Sequence, residues 1–223
     1  MCRRGVLPRL GAIILFVPSF LFIGMGLIHF SNGRTIDAAF PVPLYLSMNI
    51  PVPKSAYVDA AELLRNTNVG DGDTLISLSQ ADWYLHTGKP IDELENGLAM
   101  SPASAEGWSV FAEILSLREP QLAGRALETS LILAPYDYFW ESRRIALAPI
   151  LWASLNREMR SEVEQQVRLL WRDPASRDDL SPLLRSAQGR EIIEHAFISD
   201  PATIGQIVQW ELKRRLRIQS GGH

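Results

Sequence analysis

A single cysteine, Cys2, excludes any intrachain disulfide and any cysteine-based metal cluster in this 223-residue chain. Cys2 also precedes the first apolar run, whereas a lipid-modified lipobox cysteine follows one, so it reads as a plain thiol. Charge is missing altogether between Arg9 and Arg34. Excess positive charge is missing beyond that point. Residues 1–34 hold four arginines and no acid, which leaves 18 basic against 25 acidic residues downstream, a balance of −7. An acidic domain of this kind argues against nucleic acid as a partner, because that affinity rests on phosphate neutralisation.

Catalytic signatures are equally scarce. No G-x-S-x-G elbow, Walker loop or G-x-G-x-x-G stretch occurs. His195 has Glu191 and Glu194 nearby but no second histidine one turn away, so a helical zinc site is not expected. His86 precedes Gly88 in a turn, and His223 is the last residue. The Asp71-Gly72-Asp73 triplet lacks the spaced oxygen ligands and distal glutamate of a calcium loop and reads as a helix cap and turn. Glu93 and Glu95 fall on different sides of a helix and read as a solvated face. Neither a metal, nor a cofactor, nor a catalytic residue is therefore expected.

What is present begins with the charge gap. Residues 10–30 are 21 predominantly apolar residues without a formal charge, about 31 Å of helix at ~1.5 Å per residue, which matches a hydrocarbon core of ~30 Å. The run is longer than a secretory leader's core, and the nearest small pair, Ala38-Ala39, lies well downstream beside Asp37. A retained anchor is the expectation and a cleaved leader the alternative. Pro18 is tolerable in lipid, Gly24 and Gly26 do not form a GxxxG seam, and His29 reads as interfacial. Arg3, Arg4 and Arg9 precede the span, so 1–9 is expected to be a cytoplasmic tail and the remainder exported.

Residues 31–54 read as a linker in which Pro-Val-Pro occurs twice, around the apolar stretch 44–50. Residues 55–223 read as helices throughout. Ser55 is expected to cap a helix to Arg65 and Asp73 one to Leu85. Residues 97–102 and 130–135 then align at a shift of 33, each a helix end closed by Pro102 or Pro135, and Trp108 and Trp140 each open the next helix. Further helices are expected up to Asp173-Pro174, over 180–187 and 190–197, and over 201–218 with Asp200 as cap and Pro201 first.

Trp108, Phe111, Ala112 and Leu115, followed by Ala123, Leu127, Leu131 and Pro135, make an arrangement that resembles the tetratricopeptide repeat. The likeness covers about 72–147, is best at 104–135, and departs at Arg144, where that family has a small residue. It implies an all-α fold of stacked helical hairpins, an α-solenoid, behind a transmembrane helix. It also implies a groove that binds proteins without performing chemistry. The overall plan is similar to bitopic bacterial inner-membrane proteins with a periplasmic repeat domain that accompany surface-polysaccharide assembly and export. That similarity implies the bilayer and other envelope proteins as partners, with polysaccharide a further candidate.

Two clusters suit binding. Tyr136, Tyr138, Phe139 and Trp140 precede Arg143 and Arg144, and aromatics beside arginine are typical of interfaces. Tyr138, Trp140, Arg143 and Arg144 are the candidate binding residues, expected to matter for partner capture more than for folding. The competing reading makes Phe139 and Trp140 core. Lys213, Arg214, Arg215 and Arg217, beside Trp210, form the second cluster, either a solvated helix or a contact for anionic headgroups or an acidic partner.

Overall fold

A computed structural model describes residues 52–66 and 71–220. The expected anchor at 10–30 and nearly all of the linker lie outside the described residues. Among those described there is no strand, and no helix is long and apolar enough to cross a membrane.

Among the described residues ten α-helices follow one another: α1 (Lys54–Arg65), α2 (Gly72–Leu85), α3 (Pro90–Met100), α4 (Ala105–Leu115), α5 (Pro120–Leu133), α6 (Tyr138–Leu151), α7 (Arg157–Arg172), α8 (Ser181–Leu184), α9 (Ala187–Ala196) and α10 (Pro201–Gln219). Short 3-10 turns occupy Trp152–Ser154 and Arg177–Leu180. The starts are set by local chemistry. Side chains of Ser104, Asn156 and Ser186 accept backbone N–H bonds at the N-termini of α4, α7 and α9. Proline stands at the start of α3, α5 and α10, where its missing N–H costs nothing. Asp200 caps α10 by accepting from the Thr203 N–H, as expected.

Two expected caps fall elsewhere. Ser55 lies inside α1, whose N-cap is Pro53, and Asp71 rather than Asp73 accepts from the Thr74 N–H at 2.7 Å. Both neighbouring residues are plausible caps by type, and the local chain direction selects between them.

The 33-residue shift is a property of the fold. Helices α2, α4 and α6 start 33 residues apart in succession, and α3 and α5 end 33 apart. Helices α2 and α3 pack as one hairpin, α4 and α5 as the next, and α4 also touches both α2 and α6. In the first hairpin the backbones nearly touch. A Cβ added at Gly97 would lie 2.9 Å from the Gly72 carbonyl oxygen. At the equivalent place in the second hairpin the Ser130 hydroxyl donates to the Ala105 carbonyl at 2.7 Å. The same junction is closed once by direct contact and once by a hydrogen bond.

The third unit departs from this plan. Helix α6, with Pro149 in its last turn, packs against α4 and α5 and also against α7, α8, α9 and the turn at Arg177–Leu180. It is buried on nearly every side and forms the axis of the C-terminal half. One apolar core runs from Ile76 and Leu94 through Leu127, Ile145 and Leu151 to Ile192 and Ile207. A second, smaller cluster fastens α1 through Tyr57, Ala60, Ala61 and Leu64 to Leu78 and Ala81 of α2.

Candidate functional site

The described side chains of the aromatic–arginine cluster at 136–144 are mostly buried. The side chains of Tyr138 and Phe139 lie outside what is described. Trp140 is buried in the main core. Arg143 is also buried, ion-paired to Glu113 of α4, with its guanidinium carbon 5.6 Å from the centre of the Trp140 ring. Arg144 is 1% exposed, the largest fully buried side chain among the described residues. Tyr136 stands in solvent, its hydroxyl accepting from Gln165 at 2.9 Å.

Arg143 and Arg144, read from the sequence as binding residues, are thus both buried, with polar partners inside the fold. Arg144, where the tetratricopeptide resemblance implies a small residue, faces polar atoms at the end of a helix. Its Nε donates to Ser130 Oγ at 3.0 Å and its Nη1 to the Ala134 carbonyl at 2.5 Å, which satisfies the open C-terminus of α5. A cation there also meets the negative end of the helix dipole. Burial lowers the Arg144 pKa, while Asp137 and Glu141 oppose that shift. Ser130 passes the link on to Ala105, so Arg144 joins α6, α5 and the start of α4.

A second chain of contacts crosses the first helix of each unit. Tyr57 of α1 stacks on Tyr84 of α2, centroids 5.2 Å apart. Tyr84, raised by burial and then by the Glu113 charge, lies near Glu113 of α4, which pairs with Arg143 of α6. Burial pushes the Tyr57 phenol up to about 12, with Tyr84 reinforcing the shift. Nearby carboxyls feel the same surroundings. Burial pushes Glu106 up to about 7, with Asp73 and Asp137 adding to the shift and Arg143 opposing it. Burial likewise pushes Glu141 up to about 7, with Asp179 and Glu162 adding and Arg144 opposing.

An open cavity of about 510 Å³ lies at the turn between α2 and α3. Trp83, His86, Lys89, Ile91, Asp92 and Arg118 line it. The turn that shapes it uses left-handed backbone at His86 (φ 56°) and Gly88 (φ 61°). Gly88 is required twice over, because a Cβ there would sit 2.1 Å from Asp82 Oδ2. Asp82 closes the floor, fully buried, ion-paired to Arg65 of α1 and accepting from the Thr87 hydroxyl at 2.7 Å. Asp82 Oδ2 has no hydrogen-bond partner there. The Glu93 carboxyl is raised by burial and then by the nearby Asp82 charge, with Arg65 opposing. A neighbouring hollow of about 330 Å³ shares Thr87 and is walled by Lys54, Val58, Glu62 and Arg65.

In this cavity polar groups of both signs and the Trp83 ring meet solvent. Its residues are 36 positions apart at the extremes and have no periodic signature; the one legible signal was a histidine and a glycine closing a helix. Among the described residues no three His, Cys, Asp or Glu side chains are grouped to hold a metal ion. His195 instead sits 3.8 Å from Glu164 and 4.0 Å from Glu191 at the surface. No protein-family model, curated protein or solved structure matches the chain.

Proposed function

We propose that this chain is a non-catalytic interaction protein of the cell envelope, held in the inner membrane by residues 10–30 with its N-terminus cytoplasmic. On this reading its tetratricopeptide-like domain lies in the periplasm and serves as a scaffold or accessory factor, with surface-polysaccharide assembly or export as the process it serves. The observation that carries the reading is the 33-residue register of two hairpins whose first helices stand side by side with α6. Rigid helix pairs held in fixed register form an extended surface, and such surfaces are used for binding. The cavity between α2 and α3 is the docking point on that surface. Its mixed charges and the Trp83 ring suit a polar chain segment of a partner, and tethering to the membrane raises the effective concentration of membrane neighbours.

The test is a photo-crosslinking side chain placed at Lys89, on the cavity rim, and at Glu194, exposed on α9. Lys89 is expected to trap one discrete envelope partner and Glu194 none. Identical products at both positions would contradict the docking point. Recovery of that partner at fixed stoichiometry in mild detergent would turn the reading towards an integral subunit of a stable membrane complex.

One observation favours a different class. Asp82 and Glu93 are two carboxyls close enough for the Asp82 charge to raise Glu93, and Asp82 lines an aromatic-walled cavity; a carboxyl pair is the first requirement of an envelope-polymer hydrolase. The ion pair of Asp82 with Arg65 and its burial weigh against it, because neither oxygen faces open solvent. Polymer turnover by the wild type that Asp82→Asn abolishes would establish the enzyme reading.

A further inference from the structure

The last helix has two faces, and the fold uses one. Thr203, Ile207 and Glu211, one per turn, are buried and fix α10 to the domain. On the opposite side Val208, Leu212 and Leu216, again one per turn, are 49%, 56% and 64% exposed. Gly205 continues that line into open space. At ~100° per residue, Arg215 flanks this stripe on one side and Lys213 and Arg217 on the other. Arg215 and Arg214 are ion-paired to Glu211, and Arg214 reaches Asp178 as well. Lys213 and Arg217 make no ion pair among the described residues.

The charge of α10 runs against the rest of the exported chain. The helix has four cations and one acid, whereas the remainder beyond Arg34 has 14 basic against 24 acidic residues. Such a stripe on a convex helix needs a partner that is flat or deformable, apolar at depth and anionic at its surface. A lipid interface has all three properties. A second copy of the chain does not, because pairing two stripes would bring the flanking cations of both copies together.

We propose that α10 is a second membrane contact, lying on an anionic bilayer surface with Val208, Leu212 and Leu216 inserted and Lys213 and Arg217 at the headgroups. The inference rests on the tethered reading above, since the anchor keeps α10 within reach of lipid. It gives the domain a fixed orientation, with α10 against the bilayer.

The test uses the full chain with Cys2→Ser in lipid nanodiscs, and a polarity-sensitive fluorophore on Leu212→Cys, Leu216→Cys or, as control, the 85%-exposed Leu117→Cys. Discs containing about a third phosphatidylglycerol in phosphatidylcholine supply the anionic charge. A blue shift is expected at 212 and 216 but not at 117, and it is expected to vanish in pure phosphatidylcholine. Lys213→Gln and Arg217→Gln should each lower the inserted population about five-fold, the equivalent of ~1 kcal/mol per charge. Labels at 212 and 216 as wet as the one at 117 would overturn the proposal. So would a shift that ignores lipid charge and follows protein concentration, which is the signature of self-association. A chain that never enters the discs refutes the tether alone. The same labels on that soluble chain, mixed with vesicles of the same composition, then decide the α10 contact.

Discussion

At the scale of single residues, the two arginines of α6 show how burial changes a side chain's role. Arg143 and Arg144 are adjacent, yet one pairs with a neighbouring helix and the other closes the end of a third. Arg144→Ala should destabilise the domain by ~3 kcal/mol, because it leaves the Ala134 carbonyl unpaired inside and empties a large volume. Arg143→Ala should cost less, ~1–2 kcal/mol, since its partner Glu113 retains access to water. Denaturant unfolding in mild detergent gives both values, and the reverse order would contradict the geometry. The raised carboxyls make a pH prediction. A carboxyl whose folded pKa exceeds its unfolded value favours the folded state fully below about 4.5 and loses that contribution as pH rises through about 7. Stability should therefore fall across this window, and Glu141→Gln should flatten part of the fall and stabilise the protein at pH 8. A slope unchanged by Glu141→Gln would place the titration elsewhere, with Glu106 the next to substitute.

At the scale of elements, the hairpin junctions carry the repeat. Ser130→Ala removes a buried donor to Ala105 and an acceptor from Arg144, and should cost ~1–2 kcal/mol. With Arg144→Ala it should show strong coupling, of ~1 kcal/mol or more, because both substitutions break one chain of bonds. Additive losses would mean that the two contacts act separately. At the equivalent Gly97 no side chain fits, so Gly97→Ala should also destabilise, by overpacking against Gly72 and Ile76. Trp108 shows a limit of spacing arguments. Its place early in α4 was legible, and full burial there would make its loss worth ~3–5 kcal/mol. The ring is instead half-buried, edge-on to Phe111 at 6.1 Å, with its N–H donating to the Pro102 carbonyl at 2.8 Å. Trp108→Ala should accordingly cost ~2 kcal/mol. The helices themselves were largely legible, since prolines, caps and the 3.6-residue apolar period act over a few residues. The surroundings of α6 were not, because the Arg177–Leu180 turn, α8 and α9, which complete its enclosure, lie far along the chain.

At the scale of the molecule, the proposed anchor and the proposed docking cavity each make a prediction. The anchor reading predicts that the intact chain stays with the membrane through alkaline carbonate washing and keeps its first residues by mass. A soluble product that starts near residue 40 would overturn it. The α2–α3 cavity makes a separate prediction. His86 and Lys89 are exposed on its rim, so His86→Ala with Lys89→Ala should leave the unfolding midpoint within ~0.5 kcal/mol of wild type while weakening partner capture. A large stability loss would show that the rim holds the turn and not a ligand.

By itself the sequence determined the all-helical class, most helix boundaries and the 33-residue period, because each follows from interactions between residues close in the chain. It also determined the segregation of charge: an uncharged run at 10–30, an acidic body and a basic last helix. Tertiary structure alone decided which polar residues face inward. Arg144 is a clamp because the end of α5 lies against it, and Asp82 is a buried floor because Arg65 arrives from α1. The exposed stripe of α10 was decided in the same way. Its apolar period is readable in the sequence, but which of its two faces the core covers depends on where α9 and the Arg177–Leu180 turn come to rest.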